Sequence, residues 1–164
     1  MTGISRDYTG RSVDLEVLQT VVNPRGQVKM SLTAASGASR RVTGIQKAVQ
    51  RYVTLLLTPS GSVPFPYTRG NVLMDALRAG SVSDGGYLRH LFGVASAVAL
   101  DTIRHDDYNT DRFGAIPDDE RIESVELAGV TVDYGTSTLG LSLTFRTAAG
   151  SHYAYVIPVS ARQE

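Results

Sequence analysis

The stretch that decides the fold runs from residue 139 to residue 146, with the sequence LGLSLTFR. Its apolar residues alternate strictly with small or polar ones, which is the period-2 pattern of a β-strand with one buried face. The stretch from Tyr153 to Val159 repeats this alternation, and Gly150 lies in the connection between the two. Two such runs around a short connection predict an antiparallel hairpin near the C-terminus.

A third strand is predicted just before this hairpin. Val125 and Leu127 alternate until Gly129 shifts the phase, which predicts a β-bulge. Pro158 cannot donate a ladder hydrogen bond, so it places the last strand at a sheet edge or close to its own end. The C-terminal part of the chain is therefore predicted to be an antiparallel β-meander.

Three helices are predicted before the meander. The first begins after Thr43, a candidate N-cap, and ends before Pro59. A short second helix covers Val72 to Arg78, and a third runs from about Asp84 to Arg104. The polar, acidic stretch from His105 to Asp119 is predicted to be a loop. The predicted core-facing residues of the first helix are Ile45, Ala48, Val49, Tyr52, Val53 and Leu56, and those of the third are Leu88, Leu91, Phe92, Ala95, Val98, Ala99 and Thr102.

The first third of the chain is predicted to be a β-hairpin. Two alternating runs, Val13 to Val17 and Val28 to Leu32, flank the turn sequence Asn23 to Gly26. We therefore expect an α+β fold with an N-terminal β-hairpin, three helices and then an antiparallel β-meander. The predicted division is a hairpin extension over residues 1–41 and a main α+β domain over residues 42–164.

Composition restricts the function. The 164 residues suit one compact domain, and the formal net charge of zero gives no general attraction to nucleic acid or to an anionic membrane. The absence of cysteine excludes disulfides and thiolate metal sites. We expect no nucleic-acid or membrane partner, no cofactor and no bound metal.

Patterns typical of catalysis are weak. The string Asp107 to Asp111 spaces oxygen ligands as a calcium loop does, but Arg112 stands where such a loop needs glycine. The acidic run Asp118 to Glu120 does not by itself define two carboxylates across a cleft, which a glycosidase requires. We therefore predict no catalytic residue and a protein that acts by contact.

The segment from Gly61 to Gly70 is unusual for a connection between helices. It contains two prolines, two glycines and two aromatic residues, a composition that favours a stiff loop docked on apolar surface. The residues expected to shape this loop are Gly61, Ser62, Pro64, Phe65 and Gly70.

With this loop, the sequence resembles the baseplate wedge proteins of contractile phage tails, which include sheath initiators, are often labelled lysozyme-like and have relatives in type VI secretion baseplates. The resemblance covers roughly residues 42–159. Its features are the helix that ends in LLLTPSGS over residues 55–62, the sequence GSVPF over residues 61–65 followed by Gly70, an apolar helix after a short one, and Asp119-Glu120-Arg121-Ile122 leading into strands. The family patterns are Gly-Ser-Arg-Pro-Phe and Glu-Pro-Arg-Ile, so Val63, Asp119 and Glu120 depart from them.

The resemblance implies a structural, non-enzymatic virion protein, assembled in the host cytoplasm and located in the tail baseplate. Its implied partners are wedge core proteins, tail tube or hub proteins and the sheath protein, with six copies per baseplate and sheath assembly initiated by strand addition. The implied partner-binding residues are Asp119, Glu120, Arg121 and Ile122 in the motif and Tyr153, Tyr155 and Ile157 in the last strand.

Two other functions remain open at the level of sequence. The lysozyme-like label suggests a peptidoglycan-degrading enzyme. A tail-completion or connector protein of a non-contractile phage would also act by contact alone. Peptidoglycan degradation by the pure protein would support the first, and the absence of a neighbouring sheath gene would support the second.

Overall fold

The computed structural model describes residues 13–22, 28–32, 41–62, 70–82, 84–110, 115–133 and 138–160. These residues confirm the α+β class, with strands first, then helices, then a β-meander. In chain order the elements are β1 (Asp14–Leu15), β2 (Leu18–Val22), β3 (Val28–Leu32), β4 (Arg41–Val42), α1 (Gly44–Leu56), α2 (Val72–Arg78), α3 (Gly85–Thr110), β5 (Ile122–Asp133), β6 (Thr138–Thr147) and β7 (His152–Ser160).

The C-terminal meander forms as predicted. Its three antiparallel strands are ordered β5-β6-β7, so β7 with Pro158 is an edge strand of this sheet. The ladder between β5 and β6 shifts register between Leu127 and Gly129, which confirms the predicted bulge. The alternating apolar residues of β6 point to one side and are buried, namely Leu139, Leu141, Leu143 and Phe145.

Helices cover the buried face of this sheet. Tyr52 of α1 packs its ring edge-on against Phe145, with ring centroids 5.2 Å apart. The Tyr52 hydroxyl donates to Ser96 Oγ of α3 at 2.7 Å, so one buried side chain contacts both the sheet and the neighbouring helix. Burial raises the pKa of Tyr52 above its usual range, because the phenolate would be poorly solvated there.

The helix boundaries confirm some predictions and correct others. α2 covers the predicted residues, and Asp84 accepts a hydrogen bond from Tyr87 N at 2.8 Å, as expected of an N-cap. Thr43 makes no side-chain capping bond. α3 ends at Thr110 and not at Arg104, so the prediction of a loop from residue 105 is wrong for residues 105–110.

The reason for the longer helix is a contact that the local sequence does not reveal. Asp107 of α3 lies 2.7 Å from Arg51 of α1, and the aspartate is almost fully buried. This pairing ties the last turns of α3 to α1, because separating the two residues would leave the buried Asp107 carboxylate without its partner. A second correction concerns Val98, which was expected in the core but is 42% exposed.

The N-terminal hairpin exists, but its first arm is shifted. β2 pairs with β3 antiparallel over residues 18–22 and 28–32. Residues 14–15, predicted to belong to that arm, instead pair with Arg41–Val42 as the separate ladder β1-β4. The predicted turn at residues 23–26 lies outside the described residues. The β1-β4 ladder therefore crosses the predicted domain boundary at residue 41.

A side-chain amide holds β1 against α1. Gln50 is buried in α1, and its Oε1 accepts from Val17 N at 2.9 Å. Its Nε2 donates to Leu15 O at 2.8 Å. One glutamine thus satisfies a main-chain donor and a main-chain acceptor of the N-terminal segment, much as a neighbouring strand would.

Candidate functional site

The predicted docking motif, Asp119 to Ile122, lies in a tight turn against the meander. Glu120 N donates to Pro117 O at 2.9 Å, which closes the turn over residues 117–120. Ala148 N donates to Arg121 O at 2.9 Å, and Ala149 N donates to Asp118 O at 3.2 Å. Main-chain hydrogen bonds to the β6-β7 connection therefore hold this turn from both ends, so its side chains have defined positions.

Glu120 points into the protein. Its side chain is 2% exposed, Oε1 accepts from Gly44 N at 3.1 Å, and Oε2 lies 3.0 Å from Lys47 Nζ. A carboxylate at this place caps the positive N-terminal end of α1 and satisfies a main-chain donor there. Glu120 thus performs the capping role predicted for Thr43. As a partner-binding residue it is a poor candidate, because its carboxylate already has internal partners.

Ile122 also faces the interior, at 4% exposure, whereas Asp119 and Arg121 are half-buried. Arg121 Nη2 donates to Ile116 O at 3.2 Å, which folds the guanidinium back over its own turn. The motif therefore divides into two inward residues that support the turn and two residues with surface access. Asp119 and Arg121 are the members that a partner can reach.

Arg121 lines a cleft between its turn and the end of α3. The cleft has a volume of about 220 Å³ and is lined by Arg104, Asp107, Tyr108, Arg121 and Ile122. Tyr108 is 66% exposed at its rim, and Ile122 forms an apolar part of its wall.

Charge in this cleft is unevenly distributed. The carboxylate of Asp107 is paired with Arg51, while Arg104 is exposed and donates to Glu123 O at 3.3 Å. Among the described residues, the cleft is thus lined by two guanidinium groups, of Arg104 and Arg121, and by one carboxylate, of Asp107, which is paired with Arg51. Guanidinium groups complement carboxylates, so this cleft suits an acidic side chain or chain terminus.

The predicted strand-addition residues lie in β7. The side chains of Tyr153, Tyr155 and Ile157 share the inner side of the sheet, and Ile157 is completely buried. The two tyrosine rings stack with centroids 6.2 Å apart. Burial, and then the charges of Tyr153 and Glu16, raise the pKa of Tyr155. These side chains serve the fold, so strand addition at β7 would use its main chain.

The surroundings of β7 involve the N-terminal strands. A small cavity of about 80 Å³ lies between the stacked tyrosines, α1 and the N-terminal segment, with Glu16, Leu18 and Val42 in its lining. β3 lies close to β7, although no ladder joins the two strands. Any strand added beside β7 must therefore be accommodated together with the N-terminal hairpin.

Main-chain contacts hold together the two ends of the loop from Gly61 to Gly70. Pro59 forms an isolated parallel bridge with Asn71, and Gly70 has φ +112°. A Cβ on Gly70 would lie 2.3 Å from Pro59 O, so only glycine fits there. Gly61, with φ +71°, has open space around it, and Ser62 Oγ donates to Pro59 O at 2.7 Å. Pro64 and Phe65 lie outside the described residues.

Sequence analysis missed Asn71, which connects two helices. Its Nδ2 donates to Leu55 O and Leu56 O at the end of α1, and its Oδ1 accepts from Leu73 N at the start of α2. An asparagine directly before a helical run is an N-cap signal, so half of this role could have been predicted. Its contact with α1 depends on the tertiary fold.

Other candidate chemistry finds little support among the described residues. The described part of the calcium-like string, residues 107–110, is helical, and the described residues contain no group of three or more His, Asp or Glu side chains placed to hold a metal ion. Helices in the described ranges lack the length and apolar character needed to cross a membrane.

A search of family models, curated proteins and solved structures found no match to this chain.

Proposed function

We propose that the protein is a structural, non-enzymatic component of a contractile tail baseplate. In this function it links the wedge core to the tail tube or hub and initiates sheath assembly. It would be made and assembled in the host cytoplasm, end up in the virion, and occupy six positions around the tail. The proposal rests on the resemblance of residues 42–159 and on the arrangement of the Arg121 cleft.

The single observation that supports it best is the position of Arg121. The turn that contains it is hydrogen-bonded to the β6-β7 connection, and its neighbour Glu120 is anchored to the start of α1. A guanidinium on such a rigid support loses little conformational entropy when a partner binds. A rigid basic cleft is what a protein that acts by contact needs at its docking surface.

The chemistry of the cleft suggests the wedge contact. Arg104 and Arg121 would receive an acidic side chain of a wedge core protein, and Tyr108 at the rim would cover the aliphatic part of that side chain. Asp119, half-buried beside Arg121, would help to orient the guanidinium. Glu120 and Ile122 would contribute by holding the turn in place.

The sheath contact would use strand addition. β7 is an edge strand of the meander, and main-chain groups on an edge can pair with a strand from another chain. The hairpin β2-β3 is the second candidate, since it lies close to β7.

A hydrolytic function has weaker support. Of the acidic run at residues 118–120, Glu120 forms an internal ion pair with Lys47, and among the described residues the Arg121 cleft is lined by one carboxylate, that of Asp107. Two carboxylates facing a substrate cleft are the minimum for most glycosidases. The described residues therefore favour a function by contact over hydrolysis.

Copurification tests the wedge contact. The protein is co-expressed with tagged wedge core proteins. We expect Arg121→Ala to weaken the affinity roughly 30-fold and so to lower the recovered fraction clearly, since the loss of a buried charged contact typically costs about 2 kcal/mol or more. Arg146→Ala is the matched control, because Arg146 is an exposed arginine on β6. Thermal unfolding shows whether Arg121→Ala still folds. If it folds but binds as well as the unmodified chain, the docking assignment is wrong.

A second variant keeps this test decisive. Arg104→Glu reverses the charge of an exposed residue in the same cleft and leaves Arg121 in place. We expect it to weaken wedge binding at least as much as Arg121→Ala, because it repels an acidic partner. If both variants bind the wedge core proteins as well as the unmodified chain does, the cleft is not the wedge contact.

A further inference from the structure

The outer face of α3 carries apolar side chains that no described element covers. Tyr87, Val94 and Val98 are 40%, 43% and 42% exposed, and Gly93 and Ala97 lie exposed beside them. Apolar residues of a surface helix normally face the core, and α3 already has a complete buried face on its other side. This second face therefore requires its own explanation.

The residues along this face are arranged symmetrically about a point between Val94 and Ala97. Val94 and Ala97 flank the centre of the face, His90 lies four residues before Val94, and Asp101 lies four residues after Ala97. All four residues are exposed and fall on one stripe of the helix, because steps of three and four residues return to the same side. The stripe thus has an apolar centre, a basic or hydrogen-bond-donating end and an acidic end.

Such a stripe is complementary to itself when one copy is reversed. In an antiparallel pair of α3 helices, Val94 of one copy packs against Ala97 of the other, and His90 lies opposite Asp101. The imidazole can donate an N–H to the carboxylate, and the two-fold axis generates this contact twice. A parallel pair would instead place His90 against His90 and Asp101 against Asp101.

We propose that a second copy of this chain binds here, through an antiparallel contact between the outer faces of two α3 helices. The small side chains of Gly93 and Ala97 allow the helix axes to approach closely. A contact built mainly from one helix per subunit falls at the small end of stable interfaces, so the association is weak and depends on concentration. This inference uses a surface separate from the Arg121 cleft and does not depend on the proposed function.

Mass measurement is the first test. Size-exclusion chromatography with light scattering, run over a range of protein concentrations, should show a mass that rises from 17.6 kDa towards twice that value. A mass that stays at 17.6 kDa up to millimolar concentration would overturn the inference.

Charge variants test the pairing itself. His90→Asp places two carboxylates opposite one another, and Asp101→Arg replaces the acceptor of the imidazole N–H with a cation. Each variant alone should therefore raise the dissociation constant of the pair at least about fivefold. An equimolar mixture of these two variants should associate again, because every facing pair is then complementary. Failure of the mixture to associate, or undiminished association of either single variant, would contradict the antiparallel contact.

Cross-linking tests the direction, and the chain has no cysteine of its own to interfere. His90→Cys mixed with Asp101→Cys should form a disulfide-linked pair under mild oxidation. Each variant alone should not, because its two cysteines would lie about 16 Å apart along the helices, at 1.5 Å per residue. Efficient linking within either single variant would indicate a parallel contact and refute the proposal.

A variant at the apolar centre of the α3 face distinguishes association through this face from non-specific association. Val94→Arg should raise the dissociation constant at least about tenfold by placing a charge at the centre of the contact. The control is Val156→Arg, which alters an exposed valine on β7. If both variants lower association equally, the α3 face is not the contact.

Discussion

The C-terminal meander and the N-terminal strands have the same alternating sequence pattern, yet they are held in place differently. β6 buries four large apolar side chains against the helices and pairs along its whole length with two neighbours. β1 is two residues long, has exposed side chains and pairs only with β4 among the described strands. Its other anchor is the amide of Gln50.

Alternation of apolar and polar residues therefore predicts a strand but does not determine which strand it pairs with. In the meander the buried side chains select the register, because a slip by one residue would expose every apolar residue of β6. Around Val13 to Val17 the alternating side chains of Val13 and Leu15 remain exposed, so hydrogen bonds decide the pairing. The N-terminal strands should therefore open before the meander does.

The largest effect is expected from Phe145→Ala in the meander. Phe145 is fully buried and contacts Tyr52, so its truncation leaves a cavity and should lower the free energy of unfolding by about 3–5 kcal/mol. Urea unfolding measures this change. Val156→Ala, at an exposed position of the neighbouring strand, is the control and should change the stability by less than about 1 kcal/mol.

Glu120→Ala should have the next largest effect, because it breaks the link between the start of the meander and α1. It leaves Lys47 and Gly44 N without their buried carboxylate, at a cost of about 3 kcal/mol. Glu120→Gln keeps an acceptor for Gly44 N and should cost less. Equal losses for the two variants, measured by urea unfolding, would mean that the charge contributes nothing.

Tyr52→Phe should lower the stability by about 1 kcal/mol by removing the hydroxyl that donates to Ser96. It should also change the pH dependence. Burial raises the pKa of Tyr52 in the folded state, so the unfolded chain loses this proton first, near pH 10. Stability is then fully present below about pH 10 and falls as the pH rises above it.

Urea unfolding between about pH 8 and about pH 11 tests this dependence. The variant should show a shallower alkaline loss of stability than the unmodified chain. Ser96→Ala is the control, because it removes the hydrogen-bond partner but keeps the titrating phenol. An unchanged alkaline slope in Tyr52→Phe would show that other groups cause the loss.

The smallest global effect is expected from Gln50→Ala, which tests the N-terminal strands directly. It should lower the global stability by about 1 kcal/mol or less. It should clearly increase hydrogen exchange at Val17, whose amide donates to Gln50, and also at Leu15, because β1 loses its link to α1. Gln46→Ala, one turn earlier and exposed, is the control. Unchanged exchange at these amides would show that the β1-β4 ladder alone holds the segment.

The predicted docking motif, residues 119–122, shows how much local sequence can predict. The sequence indicated that residues 119–122 precede a strand, and Ile122 does begin β5. It could not separate Glu120 from Arg121, since both are charged neighbours in a turn. That separation depends on α1, whose first residue, Gly44, is 76 residues away from Glu120 in the chain and donates its N–H to the Glu120 carboxylate.

Local sequence was sufficient for the α+β class, the strands of the meander, the Gly129 bulge, the bounds of α2 and the face of α1 that turns inward. These features follow from periodicity and turn chemistry, which act over a few residues. Only the tertiary structure decided the shifted N-terminal pairing, the extension of α3 to Thr110 and the internal position of Glu120. Each of these depends on a polar contact between residues far apart in the chain, and no local pattern specifies such a contact.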